Sequence, residues 1–552
     1  MMGKGIKFQL SMLLMLLAAA VSGCAKTESP IQTLQTPFST AVIKTPFQPA
    51  TWTPAPTATL TPTPLPNSIW LDPALPAALR SQITVPADFG YAPGPADATL
   101  RIEVSAEEPV GIWIYALAAP FPTIQDGVKA EDLRAVWQGK MIHLMESPPL
   151  LMSETTMKAI SALWGTPAPG AVQITEAEKL SHLAWERRPS WVIIPFEELN
   201  PTWKVLAVDG ISPIQKGFIP SDYALTMPIS VIGGAPGWLQ IPNSNRDPDK
   251  LTTLAMTGVT ALVRATAFTM EIRDITYPGL DVGPWLREAD ITHISNEVAF
   301  ARNCPYPDPV QVGVKFCSPP RYIELLEDVG TDIVELSGDH LSDWGAEAVL
   351  TTLKLYDQRG WLYYGGGETL NEGRQAVIIE HNGNRLAFIG CNAKGSSFAH
   401  ASANNPGAAT CDFNWMAAEI TRLRGEGLIP IATFQHFEYY TYAAQPNQIR
   451  DAGKLSQAGA VIVSGSQAHQ PQGFEVSAES FVHHGLGNLF FDQYNLRPDT
   501  EKAFIDRHIF YDGRHISTEL LTILFIDYAR ARPMTGEERA VLLDAVFNAS
   551  GW

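Results

Sequence analysis

The sequence predicts an α/β protein with at least two folded parts. Apolar strand-like runs alternate with amphipathic helical stretches from about residue 68 onward, the pattern of sheets covered by helices. In the second half each such run breaks off in a polar or glycine cluster. The chain, at 552 residues, also exceeds what one hydrophobic core usually serves. Composition removes other classes: 45% hydrophobic residues exclude disorder throughout, and 43 Pro with 42 Gly exclude a coiled coil. The formal charge of −18, with no window concentrating Lys and Arg, opposes phosphate backbones, so no nucleic-acid partner is expected.

In chain order, residues 1–23 read as an export signal, with Lys4 and Lys7 ahead of an apolar run from Phe8 to about Val21. The run ends in Val21-Ser22-Gly23-Cys24, which resembles the lipobox of bacterial lipoproteins and implies lipidation at Cys24. Residues 24–67 are mostly Thr, Pro and Ala, with pairs such as Thr53-Pro54 and Thr61-Pro62. Such a segment buries no core and favours extended conformations, so it is expected to be a stalk. This address makes the expected location the cell envelope, outside the cytoplasm, with a membrane partner reached through the lipid. Cys304, Cys317, Cys391 and Cys411 remain, an even number in an exported chain. Local pairs, Cys304 with Cys317 and Cys391 with Cys411, are the favoured expectation among three formally allowed connectivities.

Residues 68–245 are expected to form a first α/β body. Leu100 to Val104, Gly111 to Leu117 and Trp191 to Phe196 read as strands, and Ala130 to Trp137 and Thr156 to Leu163 as helices. The order of these elements resembles one lobe of phosphate-type periplasmic solute-binding proteins. Trp113, Trp137 and Trp191 are expected in its core. The turn formers Pro242 to Asp249 then mark a boundary.

The second body, residues 252–552, carries strand-like runs at 251–258, 290–297, 332–340, 385–392, 428–436 and 460–469. Helical stretches at Pro320 to Val329, Ala346 to Arg359, Asp412 to Gly425 and Gln448 to Ala458 separate several of them. Ser517 to Trp552 reads as a strand and a closing helix assigned to packing. In open α/β sheets ligands collect beyond the carboxyl ends of the strands, where these polar clusters would converge. The clusters offer Asn296 and Glu297, Asp339 and His340, Gln435, His436 and Glu438, Gln467 and His469, and Asn488. Imidazole with carboxylate suits Zn, Mn or Fe, ions that turn water into a nucleophile and neutralise a developing oxyanion.

These clusters, in this order, resemble the CapA family of capsule and poly-γ-glutamate synthesis proteins, related in fold to calcineurin-like metallophosphoesterases, over about residues 252–495. The resemblance rests on Ser295-Asn296-Glu297, Ser337-Gly338-Asp339-His340 followed by Asp343-Trp344-Gly345, Tyr364-Gly365-Gly366-Gly367-Glu368, His436-Phe437-Glu438-Tyr439, Gly465-Ser466-Gln467-Ala468-His469, Gln470-Pro471-Gln472 and Gly485-Leu486-Gly487-Asn488-Leu489-Phe490. It implies a metallophosphoesterase-like layered α/β sandwich preceded by the smaller solute-binding-like body. Partners implied are an anionic polymer or envelope polysaccharide and other capsule-synthesis proteins.

Two positions depart from the family pattern. The first strand reads Thr257-Gly258-Val259, with Val259 where an aspartate is expected, and Gln467 stands where a histidine is often found. Asp339 replaces a neutral Asn and restores one negative charge. A single-metal site, a weakened pair and no metal are the three readings left open. The divalent ion (Zn, Mn or Fe) is expected on His340, His436 and His469 with Glu297 or Asp339. The implied chemistry is hydrolysis or transfer at a phosphoryl or amide centre. In it His340 with Asp339 or Glu297 moves the proton, while Arg264, Asn488 and Glu438 hold substrate. The competing readings are a polymer-binding or scaffolding lipoprotein that has lost catalysis, favoured by Val259 and Gln467, and an importer's solute receptor, favoured by residues 68–245.

Overall fold

The computed structural model describes residues 67–140, 149–395, 397–493 and 497–552. The export signal, Cys24 and the Thr/Pro-rich stalk lie outside the described residues. No helix among the described residues is long and apolar enough to cross a membrane.

The first stretch builds a ten-stranded mixed sheet whose strands all lie between Ser68 and Ile232. Its longest central strand, Gly111–Pro120, is buried along nearly its whole length because it pairs on both edges, with Thr226–Ile232 and with Val192–Pro195. Helix Glu154–Trp164 shows how the covering elements are set. Ser153 caps its N-terminus by accepting from the Thr156 amide, Glu154 sits in the first turn, and Gly165 ends it at a φ of 79°. Trp113, Trp137 and Trp191 are each about 2% exposed and lie in this core.

The second stretch forms two further sheets. Four parallel strands, Leu251–Thr260, Ile291–Asn296, Ile333–Glu335 and Leu362–Tyr364, are extended on the free side of the first by antiparallel Lys502–Tyr511, Arg514–Ile526 and Arg530–Pro533. The other sheet pairs Asn384–Asn392, Ile429–Gln435, Ile462–Ser464 and Phe481–His483 in parallel. The sheets pack face to face through Leu254, Met256, Ile291 and Ile333 on one side and Leu386, Phe388, Ile431 and Ile462 on the other. Helices Ile323–Asp328 and Ala346–Asp357 cover the outer face of the first sheet, and Phe413–Gly425 and Pro446–Gln457 that of the second. The result is the layered α/β sandwich expected from the sequence.

Two strands are shorter than their apolar runs suggested, Ile333–Glu335 against 332–340 and Ile462–Ser464 against 460–469. The chain leaves each ladder early at a glycine pressed against a neighbour. A Cβ on Gly338 would lie 2.7 Å from the Glu297 Cα, and one on Gly465 2.0 Å from the His484 carbonyl oxygen. Only glycine permits these approaches, and they bring the loops carrying Asp339, His340, Gln467 and His469 down over the strand ends.

Candidate metal centre

Because the parallel strands of each sheet run the same way, their carboxyl ends meet on one rim. Glu297 directly follows Ile291–Asn296, Asp339 and His340 follow Ile333–Glu335, and Lys394 follows Asn384–Asn392. Glu438 and His469 follow Ile429–Gln435 and Ile462–Ser464. One ligand atom each from Glu297, Asp339 and His340 lies within 4.8 Å of the others. Of the five residues expected to hold metal, these three are brought together.

Glu297 is 1% exposed, and its Oε1 accepts no hydrogen bond. Burial raises its pKa above the usual carboxyl value even though His469 and His340 face it. A buried carboxylate oxygen left this way is costly unless a cation shares it. Two carboxylates with an imidazole also form a donor set that Zn, Mn and Fe accept. The residues present therefore fit a divalent ion.

His340 is oriented by Asp343, whose Oδ2 lies 2.7 Å from His340 Nδ1 and also accepts from the Phe316 amide at 2.9 Å. Burial opposes the charged ring, but this hydrogen bond and the charges of Glu297 and Asp339 outweigh it and raise His340 to about 9. The Phe316 ring stands edge-on to His340 at 4.9 Å. A carboxylate behind a ligating histidine fixes its tautomer and direction.

His469 sits beside the cluster. Its Nε2 is 3.4 Å from Glu438 Oε1 and 3.8 Å from Glu297 Oε1, and its Nδ1 is 2.8 Å from Asn488 Oδ1. Burial disfavours the charged ring, yet Glu297 and Glu438 raise its pKa.

The structure corrects several expected roles. His436 is turned away from the cluster: its Nε2 faces Asp451 at 3.2 Å and its Nδ1 accepts from the Phe437 amide, so both ring nitrogens are engaged. Asn488 is fully buried, with Oδ1 on His469 and Nδ2 donating to the Thr500 carbonyl, so it positions His469 from beneath the site and is not exposed to substrate. Arg264 donates to the Asp492 carbonyl at 2.6 Å, and its guanidinium lies over the Phe491 and Phe316 rings. It braces the two rings that touch His469 and His340. Glu438 pairs with Lys394 and accepts from the Tyr440 hydroxyl at 2.8 Å. Val259 is fully buried among Ala261, Val298, Phe316 and Phe491, so an apolar plug fills the strand end where a carboxylate was expected.

Sequence reasoning missed Lys394 and Glu335. Lys394 Nζ lies 2.8 Å from Asp339 Oδ2 and directly contacts Glu438 Oε1. Against the cost of burial, its charge lowers the Asp339 pKa. An ammonium is no metal donor, so the strand-end pattern of carboxylates and imidazoles does not point to Lys394. Glu335, fully buried, accepts from the hydroxyls of Ser295 (2.9 Å), Ser337 and Ser466, and Gln467 Nε2 donates to Ser295 at 2.5 Å. This network ties three strand ends together beneath the rim. Its signal was only an acidic residue inside an apolar run. Cys304 is bonded to Cys317, and Cys391 to Cys411.

Residues 249–493 match the family model described as bacterial capsule synthesis protein PGA_cap. The chain is 24% identical over 309 residues to the capsule biosynthesis protein CapA of Bacillus anthracis, covering 54% of this chain and 74% of that protein. It is 24% identical over 193 residues to the PGA biosynthesis protein CapA of Bacillus subtilis (strain 168), covering 35% of this chain and half of that one. Among solved structures, a 5'-nucleotidase precursor from Thermus thermophilus aligns at 10% identity over 53% of this chain and 58% of that one. Its TM-score of 0.28 carries no inference about ligand or activity.

Proposed function

We propose, from the match of residues 249–493 to the bacterial capsule synthesis model PGA_cap and the similarity to two CapA proteins, that this chain is an envelope lipoprotein of the capsule-synthesis type. In this reading it acts in the synthesis or attachment of a capsule-type anionic polymer, with the cluster around Glu297 as a metal-dependent hydrolase or transferase centre. The observation that carries the reading is the buried Oε1 of Glu297, which accepts no hydrogen bond, beside Asp339 and His340. A divalent ion there would supply Lewis-acid polarisation and an activated water for attack on a phosphoryl or amide centre.

The chain's own residues set the rest. Asp343 holds His340 in its ligating orientation. Asn488 holds the His469 ring with Nε2 toward Glu297 and Glu438, where a proton on Nε2 is available to a leaving group. Arg264 keeps Phe316 and Phe491 packed over these two rings and limits water around them.

The test is metal content after reconstitution with Mn²⁺ or Zn²⁺, together with hydrolysis of phosphoester and γ-glutamyl model substrates. Wild type is compared with Glu297→Gln and His340→Ala. Bound metal and turnover in wild type, lost in both variants, support the proposal. An equal metal content in all three would overturn it. One observation favours a second reading, a polymer-binding scaffold: the apolar plug at Val259. It predicts polymer binding without turnover.

A further inference from the structure

The two sides of the site are finished differently. On one side Glu297 Oε1 accepts no hydrogen bond, and the His469 ring faces it only at 3.8 Å. On the other, every carboxylate oxygen has a close partner. Asp339 Oδ1 accepts from Gln435 Nε2 at 2.9 Å and Oδ2 meets Lys394 Nζ at 2.8 Å. Glu438 Oε2 accepts from the Tyr440 hydroxyl at 2.8 Å, and Oε1 meets Lys394 Nζ and His469 Nε2. One ammonium thus bridges two carboxylates that lie on loops from different sheets.

The lysine is also held in place by its own loop. It sits three residues beyond Cys391, which the bond to Cys411 ties down. The Ala393 amide donates to the Gln435 carbonyl at 2.8 Å, and the Gly395 amide to Asn392 Oδ1 at 2.5 Å. The stem is largely covered, with 22% of the side chain exposed. A flexible surface lysine would lose rotamer entropy for little gain. This one begins from a braced backbone and reaches two partly buried acids.

We propose that the Lys394 ammonium is a built-in cation standing where a second divalent ion would otherwise neutralise Asp339 and Glu438. The exchangeable ion is thereby confined to the Glu297 and His340 side of Asp339, whose carboxylate it shares with Lys394. The proposal deepens the metal reading above and rests on it for the ion held by wild type. The assignment of Lys394 is tested by a difference between chains. Lys394 carries one positive charge against the two of a metal ion, and it does not dissociate. The site consequently keeps part of its electrostatic order when stripped with chelator.

The experiment strips full-length wild type, Lys394→Arg, Lys394→Gln and Lys394→Ala with chelator. Each is then equilibrated with Mn²⁺ alone, and bound manganese per chain is counted by inductively coupled plasma mass spectrometry. Melting temperatures are recorded in chelator and in Mn²⁺. The expected result is one additional manganese in Lys394→Gln and Lys394→Ala relative to wild type, with Lys394→Arg matching wild type. Both neutral variants should melt lower than wild type in chelator and recover in Mn²⁺. If the neutral variants bind no more manganese than wild type, or if wild type itself binds two, the assignment is overturned. If wild type binds none and the neutral variants bind one, Lys394 keeps its role while the metal-dependent reading falls. Circular dichroism in Mn²⁺ identifies any variant that has failed to fold, and Lys394→Gln and Lys394→Ala serve as independent checks on each other.

Discussion

His515 gives a sharp handle on how burial sets the pH response of this fold. It is 5% exposed, its Nε2 lies 2.9 Å from both the Ser517 carbonyl and the Thr518 hydroxyl, and its Nδ1 has no partner. The neighbouring rings are Phe510 and His508 at 5.3 Å and Phe481 at 6.0 Å. Burial lowers its pKa to about 3. A base with a depressed folded pKa contributes stability above its unfolded value, near 6.5, and that contribution is lost as pH falls toward the folded value. The loss is about 1.4 kcal/mol per pH unit, or about 2 kcal/mol between pH 6.5 and 5. His515→Gln removes the proton site from the unfolded chain. At pH 8 it should cost about 1–2 kcal/mol through a weakened hydrogen bond and looser packing. Urea denaturation followed by circular dichroism at pH 8, 6.5 and 5 should show the two stabilities converging and crossing near pH 5. Parallel curves over that range would show that the ring is not held neutral by burial.

Three further outcomes are expected. Asp343→Asn, which removes the carboxylate behind His340, should weaken Mn²⁺ binding about 10–100-fold by isothermal titration calorimetry, and an unchanged affinity would remove Asp343 from the site. Replacing Cys391 and Cys411 together by Ser opens a loop with a sequence separation of 20. That should cost about 3 kcal/mol in urea unfolding, and a negligible loss would mean the loop is held by packing alone. Val259→Asp places a carboxylate among Ala261, Val298, Phe316 and Phe491. In chelator it should destabilise by about 3–5 kcal/mol, with part recovered in Mn²⁺, and a variant as stable as the parent would show that the plug is not dry.

Local features made much of the second body legible. The runs at 385–392 and 428–436 appear as strands Asn384–Asn392 and Ile429–Gln435, because β-propensity and apolar continuity act over a few residues. The polar residues that stop those runs were recognisable as a rim, since parallel strands bring their carboxyl ends to one side. Glu297, Asp339 and His340 lie at such strand ends and bring one ligand atom each within 4.8 Å of the others. His436 shows where strand-end position stops being informative. It follows its strand as the others do, but its direction is decided by Asp451 on helix Pro446–Gln457. Asn488 likewise carries a polar group at the right place, already engaged by His469.

The amino-acid order alone determined the layered α/β class, the family pattern and which strand ends would supply acids and imidazoles, because each is written in the periodicity and termination of short segments. Tertiary structure decided the partner of each polar atom. That Asp339 meets Lys394, that Arg264 is spent on Asp492 and two aromatic rings, and that Glu297 keeps an oxygen without a hydrogen bond depend on distances between loops far apart in the chain. Hydrogen bonds and ion pairs are decided within an ångström, while sequence pattern locates a side chain only to a face of a sheet.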